Sequence, residues 1–157
     1  MSFETVAAYF DTLHMKDRCI NLKASSATVA EAARALGADE AEIAKSMSLL
    51  VDAGPLVLVT AGDARIDNHK YKETFHKKAK MIPGGDVERL IGHPPGGVCP
   101  FCLPENVPVY LDISLKRFAI VYPACGTDHS AVKLTPDELE RAASPAGWVD
   151  VCKGWNE

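Results

Sequence analysis

The stretch Gly92-His93-Pro94-Pro95-Gly96-Gly97-Val98-Cys99-Pro100-Phe101-Cys102-Leu103-Pro104 does most to constrain this chain. Its four prolines and three glycines exclude a regular helix or strand. Glycine admits positive φ and the close approach of a ligand, while each proline fixes φ and removes an N–H, so the loop is irregular yet stiff. Loops of this kind often carry chemistry, and they also serve as plain crossovers.

Around that loop, 157 residues at 47% hydrophobic and 24% charged suffice for one domain, residues 1–157, with its own core. No long apolar run and no basic-then-apolar N-terminus is present, so a soluble, cytoplasmic protein is expected. The five cysteines (Cys19, Cys99, Cys102, Cys125 and Cys152) are odd in number and read as reduced thiols rather than a disulfide framework. A formal charge of −4 argues against a general DNA binder.

Periodicity and capping signals predict helices over 3–13 from an N-cap at Ser2, from Thr28 to Gly37, over 68–80, over 86–91 and from Thr135 to near Ala143. Strands are predicted over 18–23, 46–51, 56–60, 109–112, 118–122, 130–134 and 148–152, with 46–51 and 56–60 forming a hairpin. The fold class is therefore α/β: a single domain with a mixed, curved, partly barrel-like sheet of about seven strands and surrounding helices. The run 65–80 carries six Lys or Arg against Asp67 and Glu73. It is either a solvated helix face or a phosphate-contacting one, with Lys70, Lys77 and Lys78 as backbone contacts.

Cys99-Pro100-Phe101-Cys102 has the spacing of a thiol redox pair, but the prolines that follow oppose the helix such a pair needs to lower its pKa. Zinc would require Cys125, His129 or His93 to join the pair, and the second half lacks a matching CxxC or HxxxH. No GxSxG, Walker, GxGxxG or HExxH motif occurs. Lys45 stands where a helical turn meets an apolar strand, so its stem would be packed and its ammonium aimed at one place; an ordinary exposed lysine is the alternative.

Taken in order, Lys45, Gly62-Asp63, Gly96-Gly97-Val98-Cys99-Pro100-Phe101, Val109-Tyr110-Leu111-Asp112 and Cys125-Gly126-Thr127-Asp128-His129-Ser130 before Leu134-Thr135-Pro136 resemble the YbaK-type family. These are free-standing relatives of the prolyl-tRNA synthetase editing domain. The likeness runs over about residues 25–143. It implies a trans-editing aminoacyl-tRNA deacylase that removes a mischarged small amino acid (Cys, Ala or similar) from tRNA, in particular tRNA(Pro), without metal or organic cofactor. It further implies that Lys45 and Gly97 are the catalytic positions, Gly97 and Gly96 forming the backbone floor of the pocket. Val98, Gly126, His129 and Ser130 would bind substrate. The partner is the acceptor end of an aminoacyl-tRNA, with a synthetase as a further option, and neither membrane nor DNA is expected. Cys102 departs from the pattern, standing where relatives commonly have glycine.

The chemistry agrees with the residue types. An aminoacyl ester is already activated, so its hydrolysis needs donors for the developing oxyanion, which loop N–H groups supply, and a cation to hold the adenosine end. Water, a substrate thiol or the ribose 2′-hydroxyl is then the attacking group. Because one methylene discriminates by only about 1–3 kcal/mol, synthetases need a second sieve. The other reading is a non-catalytic module that binds a small molecule or a nucleotide end in the same pocket, which the lack of an obvious general base favours.

Overall fold

Capping chemistry sets the element boundaries in the computed structural model, which describes residues 2–156. The Ser2 hydroxyl accepts from the Thr5 amide and opens α1 (Phe3–Thr12). After β1 (Cys19–Asn21), Thr28 accepts from the Glu31 amide to open α2 (Val29–Leu36), which Gly37 closes at φ 66°. A single 3₁₀ turn, Glu40–Glu42, delivers the chain into β2 (Ala44–Val51), and Asp52-Ala53 turns it into β3 (Gly54–Ala61). Next come β4 (Arg65–Ile66), α3 (Asn68–Phe75), α4 (Val87–Ile91), which ends at Gly92, and β5 (Val109–Asp112). The chain closes with β6 (Ser130–Val132), α5 (Pro136–Ala143), β7 (Gly147–Val149) and β8 (Cys152–Lys153).

The main sheet runs β2-β3-β5-β7, with β2 antiparallel to β3 and with β3, β5 and β7 mutually parallel. β1 pairs with β6 and β4 with β8, both antiparallel. Among the described residues these sheets do not close into a barrel. Leu56, Val57, Leu58 and Val59 of β3 are all buried, because this strand is covered on both faces. Truncating Leu58 to Ala would cost about 2–5 kcal/mol. No helix among the described residues is long and apolar enough to cross a membrane.

Strands β1 and β6 are each shorter than predicted, and three other elements depart further from expectation. The basic helix stops at Phe75, with His76 left-handed at φ 61° and Asp67 as its cap. The reason lies further on: the Ile82 amide donates to the Ser48 carbonyl and the Leu50 amide to the Lys80 carbonyl, so segment 80–82 is drawn out along β2. Predicted strand 118–122 reduces to single bridges, Val121 with Leu134 and Tyr122 with Ile43. The last strand is split because the buried Asp112 carboxylate takes the Val151 amide at 2.9 Å between β7 and β8.

Candidate active site

A cleft of about 380 Å³ lies between the start of α2, the outer edge of β2 and the glycine-rich loop. Thr28, Val29 and Ala32 form one wall, and Ala44, Lys45, Ser46 and Ser48 a second. Pro95, Gly96 and Val98 close it opposite Met81 and Ile82, with Tyr122 and Ser130 at the back. Of the expected site residues, the fold thus brings together Lys45, Gly96, Val98 and Ser130.

Lys45 is half-buried at the entry to β2, and its ammonium donates to the Ala64 carbonyl at 3.2 Å, in the turn after β3. Gly96 takes φ 85°, and a Cβ there would lie 3.3 Å from the β-carbons of Ala27 and Asp128. Gly97 departs from its expected place on the pocket floor. Its amide donates to the Pro94 carbonyl at 2.9 Å, and a Cβ would come within 2.8 Å of the Thr127 backbone. Its hydrogen is needed where two loops touch, behind the cleft wall.

Gly126 and His129 also lie off the cleft wall. Gly126, at φ 87°, faces Val6 and the Ser2 carbonyl and so docks its loop on α1. His129 is exposed, its Nδ1 2.9 Å from the Asp128 carboxylate. Ser130 does reach the cleft, yet its hydroxyl accepts from the Cys125 amide at 3.1 Å and pairs with the Thr127 hydroxyl at 2.8 Å. The Ser26 hydroxyl accepts from the Ser130 amide, fastening this loop to the approach of α2. Ser130 thus ties the loop 125–130 together where it meets the cleft.

Inside the proline-rich loop, Cys99 and His93 are both fully buried, with Sγ 3.4 Å from Nε2 and that nitrogen 2.7 Å from the Phe101 carbonyl oxygen. Burial lowers the His93 pKa and pushes the Cys99 thiol up to about 12, so both are neutral and the thiol is no nucleophile. Cys102 occupies φ 58°, the left-handed conformation that glycine adopts most readily. Among the described residues, no three His, Cys, Asp or Glu side chains converge as metal ligands do.

The expected tRNA contacts divide. Lys70 donates to Asp150 at 3.0 Å and to the Cys152 carbonyl at 3.3 Å, and Lys77 is paired with Asp52. Lys78 and Lys80 are exposed, and among the described residues neither forms an ion pair. The same segment leads into Met81 on the cleft rim, which is 55% exposed.

Sequence reasoning missed Ser46 and Ser48. Their signal was available: two serines at i and i+2 within an apolar strand share one face, and both line the cleft along the edge of β2.

Comparison with known proteins adds four findings. The model of the aminoacyl-tRNA editing domain matches residues 23–142. The "Uncharacterized protein YwhH" of Bacillus subtilis is 44% identical over 156 residues, 99% of each chain. The "Putative Cys-tRNA(Pro)/Cys-tRNA(Cys) deacylase EbsC" of Enterococcus faecalis is 26% identical over 109 residues, 68% of this chain and 66% of that one. The crystal structure of a "putative trans-editing enzyme for prolyl tRNA synthetase" superposes with a TM-score of 0.86 at 27% identity, covering 98% of this chain and 99% of that chain. With its fold matched along nearly its whole length and the family model spanning the cleft-forming segments, the chain belongs to the aminoacyl-tRNA editing domain family.

Proposed function

We propose that the protein is a trans-editing deacylase that hydrolyses a mischarged small amino acid (Cys, Ala or similar) from tRNA, with tRNA(Pro) the first substrate to test. The observation that carries this reading is the juxtaposition, in one cleft, of the Lys45 stem with the Gly96-Gly97-Val98 turn. A volume of about 380 Å³ suits an aminoacyl group with part of its adenosine. The names of the Enterococcus relative and of the superposed structure point the same way.

In this mechanism Lys45 exchanges the Ala64 carbonyl for the 3′-terminal phosphate or ribose and fixes the acceptor end. Because the Gly97 amide is held by Pro94, the oxyanion donors are the neighbouring amides of Gly96 and Val98, which have no acceptor among the described residues. Gly97 serves the reaction by holding that turn. Water attacking the ester carbonyl forms the new acyl C–O bond as the bond to the ribose breaks, and its proton passes to the departing 3′-oxygen. Where a substrate thiol or the 2′-hydroxyl attacks first, the thiolactone or 2′-ester so formed is hydrolysed by water in a second step. Lys78 and Lys80, beside the rim, would meet the acceptor-stem backbone, with Lys70 and Lys77 reaching it only by leaving their carboxylate partners.

A binding module remains the rival, since Lys45 and Tyr122 are the only titratable side chains on the described cleft wall. The test is a panel of mischarged tRNAs. Release of one amino acid at a rate well above buffer, at catalytic protein concentrations, is expected. Stoichiometric binding without turnover would instead establish the module.

A further inference from the structure

The outer edge of β2 is covered at both ends and open in the middle. At one end the Ala44 amide donates to the Tyr122 carbonyl at 3.0 Å. At the other, the Ile82 amide donates to the Ser48 carbonyl at 3.0 Å and the Leu50 amide to the Lys80 carbonyl at 2.9 Å. These bonds set the parity of the strand: Ala44, Ser48 and Leu50 turn their main-chain polar groups away from β3. Ser46, opposite Val59, shares that parity and lies between the two covers. Among the described residues its N–H and C=O have no partner, and they face the cleft. Its hydroxyl is buried and also without a partner.

A buried hydroxyl without a partner beside two main-chain groups that only solvent can pair favours an occupant that pairs all three. An aminoacyl ester carries what is needed. Its α-ammonium is a donor and its carbonyl an acceptor, the same pair that one residue of an added strand would offer. A side chain on such a residue lies on the same face as that of Ser46, with their β-carbons about 5 Å apart. Rotation of the Ser46 hydroxyl toward it breaks no existing hydrogen bond.

We propose that Ser46 is the specificity-determining residue of this cleft: its main chain binds the aminoacyl group as one residue of an added strand, and its hydroxyl selects a small side chain bearing a hydroxyl or thiol over an alkyl one. This rests on the deacylase reading for its substrate class but is tested by binding alone. The probes are adenosine analogues with seryl, alanyl or N-acetylseryl groups amide-linked at the 3′ position, titrated into the whole protein by calorimetry.

The seryl analogue should bind about tenfold more tightly than the alanyl one, and Ser46→Ala should bring the two within about twofold. N-acetylation should weaken binding about tenfold or more to both proteins, because it removes the ammonium that the Ser46 carbonyl accepts. Equal wild-type affinities, a preference that survives in S46A, or unaffected N-acetyl binding would overturn the proposal. Should S46A fail to fold, Ser46→Cys, which keeps the side-chain volume and replaces the hydroxyl by a weak hydrogen-bonding thiol, is read in the same way, and an undiminished seryl preference in it overturns the proposal. If this binding pattern holds but no mischarged tRNA is deacylated, the deacylase reading falls and Ser46 stands. Deacylation without the pattern has the opposite meaning.

Discussion

The Lys45 ammonium donates to the carbonyl of Ala64 at 3.2 Å, so the side chain proposed to grip the tRNA end also pins the turn after β3. The two roles separate in Lys45→Met, which keeps the packed stem and removes the donor. Loss of one hydrogen bond at a partly buried carbonyl should lower stability by about 1 kcal/mol. Deacylation should fall by about 100-fold or more if the ammonium fixes the substrate. Single-turnover kinetics beside a urea titration measures both, and unchanged turnover would leave Lys45 with the turn alone.

Gly97 and Gly37 form a matched test of why a glycine is required. Gly37→Ala meets nothing within 4 Å and bears only the left-handed strain of φ 66°, about 1 kcal/mol. Gly97→Ala drives a Cβ to 2.8 Å from the Thr127 backbone, which cannot swing aside as a side chain would. Its destabilisation should be about 1–3 kcal/mol, should exceed that of Gly37→Ala, and should come with lost deacylation. If Gly97→Ala is as stable as wild type, the contact between the two loops does not hold the cleft wall.

The local half of this structure was readable from residues and the long-range half was not. Ser2, Thr28, Thr135 and Gly37 cap helices where their chemistry places them, and Leu56-Val57-Leu58-Val59 is the buried strand its composition requires. The helix expected to reach Lys80 fails because residues 80–82 find better partners on β2 than in their own next turn, a pairing no window of sequence contains. Glycine spacing in the proline-rich loop marked Gly96 and Gly97 as special without saying what each approaches. Gly96 lines the cleft while packing against Ala27 and Asp128, and Gly97 packs against the Thr127 backbone. His129 shares a loop with Ser130, yet only Ser130 points inward, a consequence of the Ser26 pairing.

Burial divides the thiols by reactivity. The Cys125 thiol hydrogen-bonded to Cys19 lowers the pKa of Cys19, whereas burial raises those of Cys99 and Cys152 to about 12. Iodoacetamide should therefore label Cys19 first in the native protein, and Cys99, Cys125 and Cys152 only after unfolding. The stability consequence has a definite sign. A thiol raised from its ordinary 9.0 to about 12 stabilises the fold fully below pH 9, and that contribution is lost between about 9 and 12 as the unfolded chain ionises first. Urea midpoints should drop across that window, and less steeply in Cys99→Ala. Equal slopes would show that Cys99 ionises no more readily in the unfolded chain.

Charge placement yields the last expectation. Lys77 is paired with Asp52, and Lys70 with Asp150 and the Cys152 carbonyl, so each must give up a partner to meet a phosphate. Lys78 and Lys80 have no such cost among the described residues, and Met81 carries their segment onto the cleft rim. Each lysine that neutralises a phosphate steepens the salt dependence by about one unit in the log–log slope. Lys78→Glu with Lys80→Glu should thus weaken tRNA binding and flatten that slope by about two, leaving turnover at saturating tRNA unchanged. Lys70→Glu, by contrast, should act on stability, because it places like charge beside Asp150 at the β8 end of the sheet. Filter binding from low to moderate salt distinguishes them. A double mutant with the wild-type slope would assign the segment to solvent and return the tRNA contact to another face.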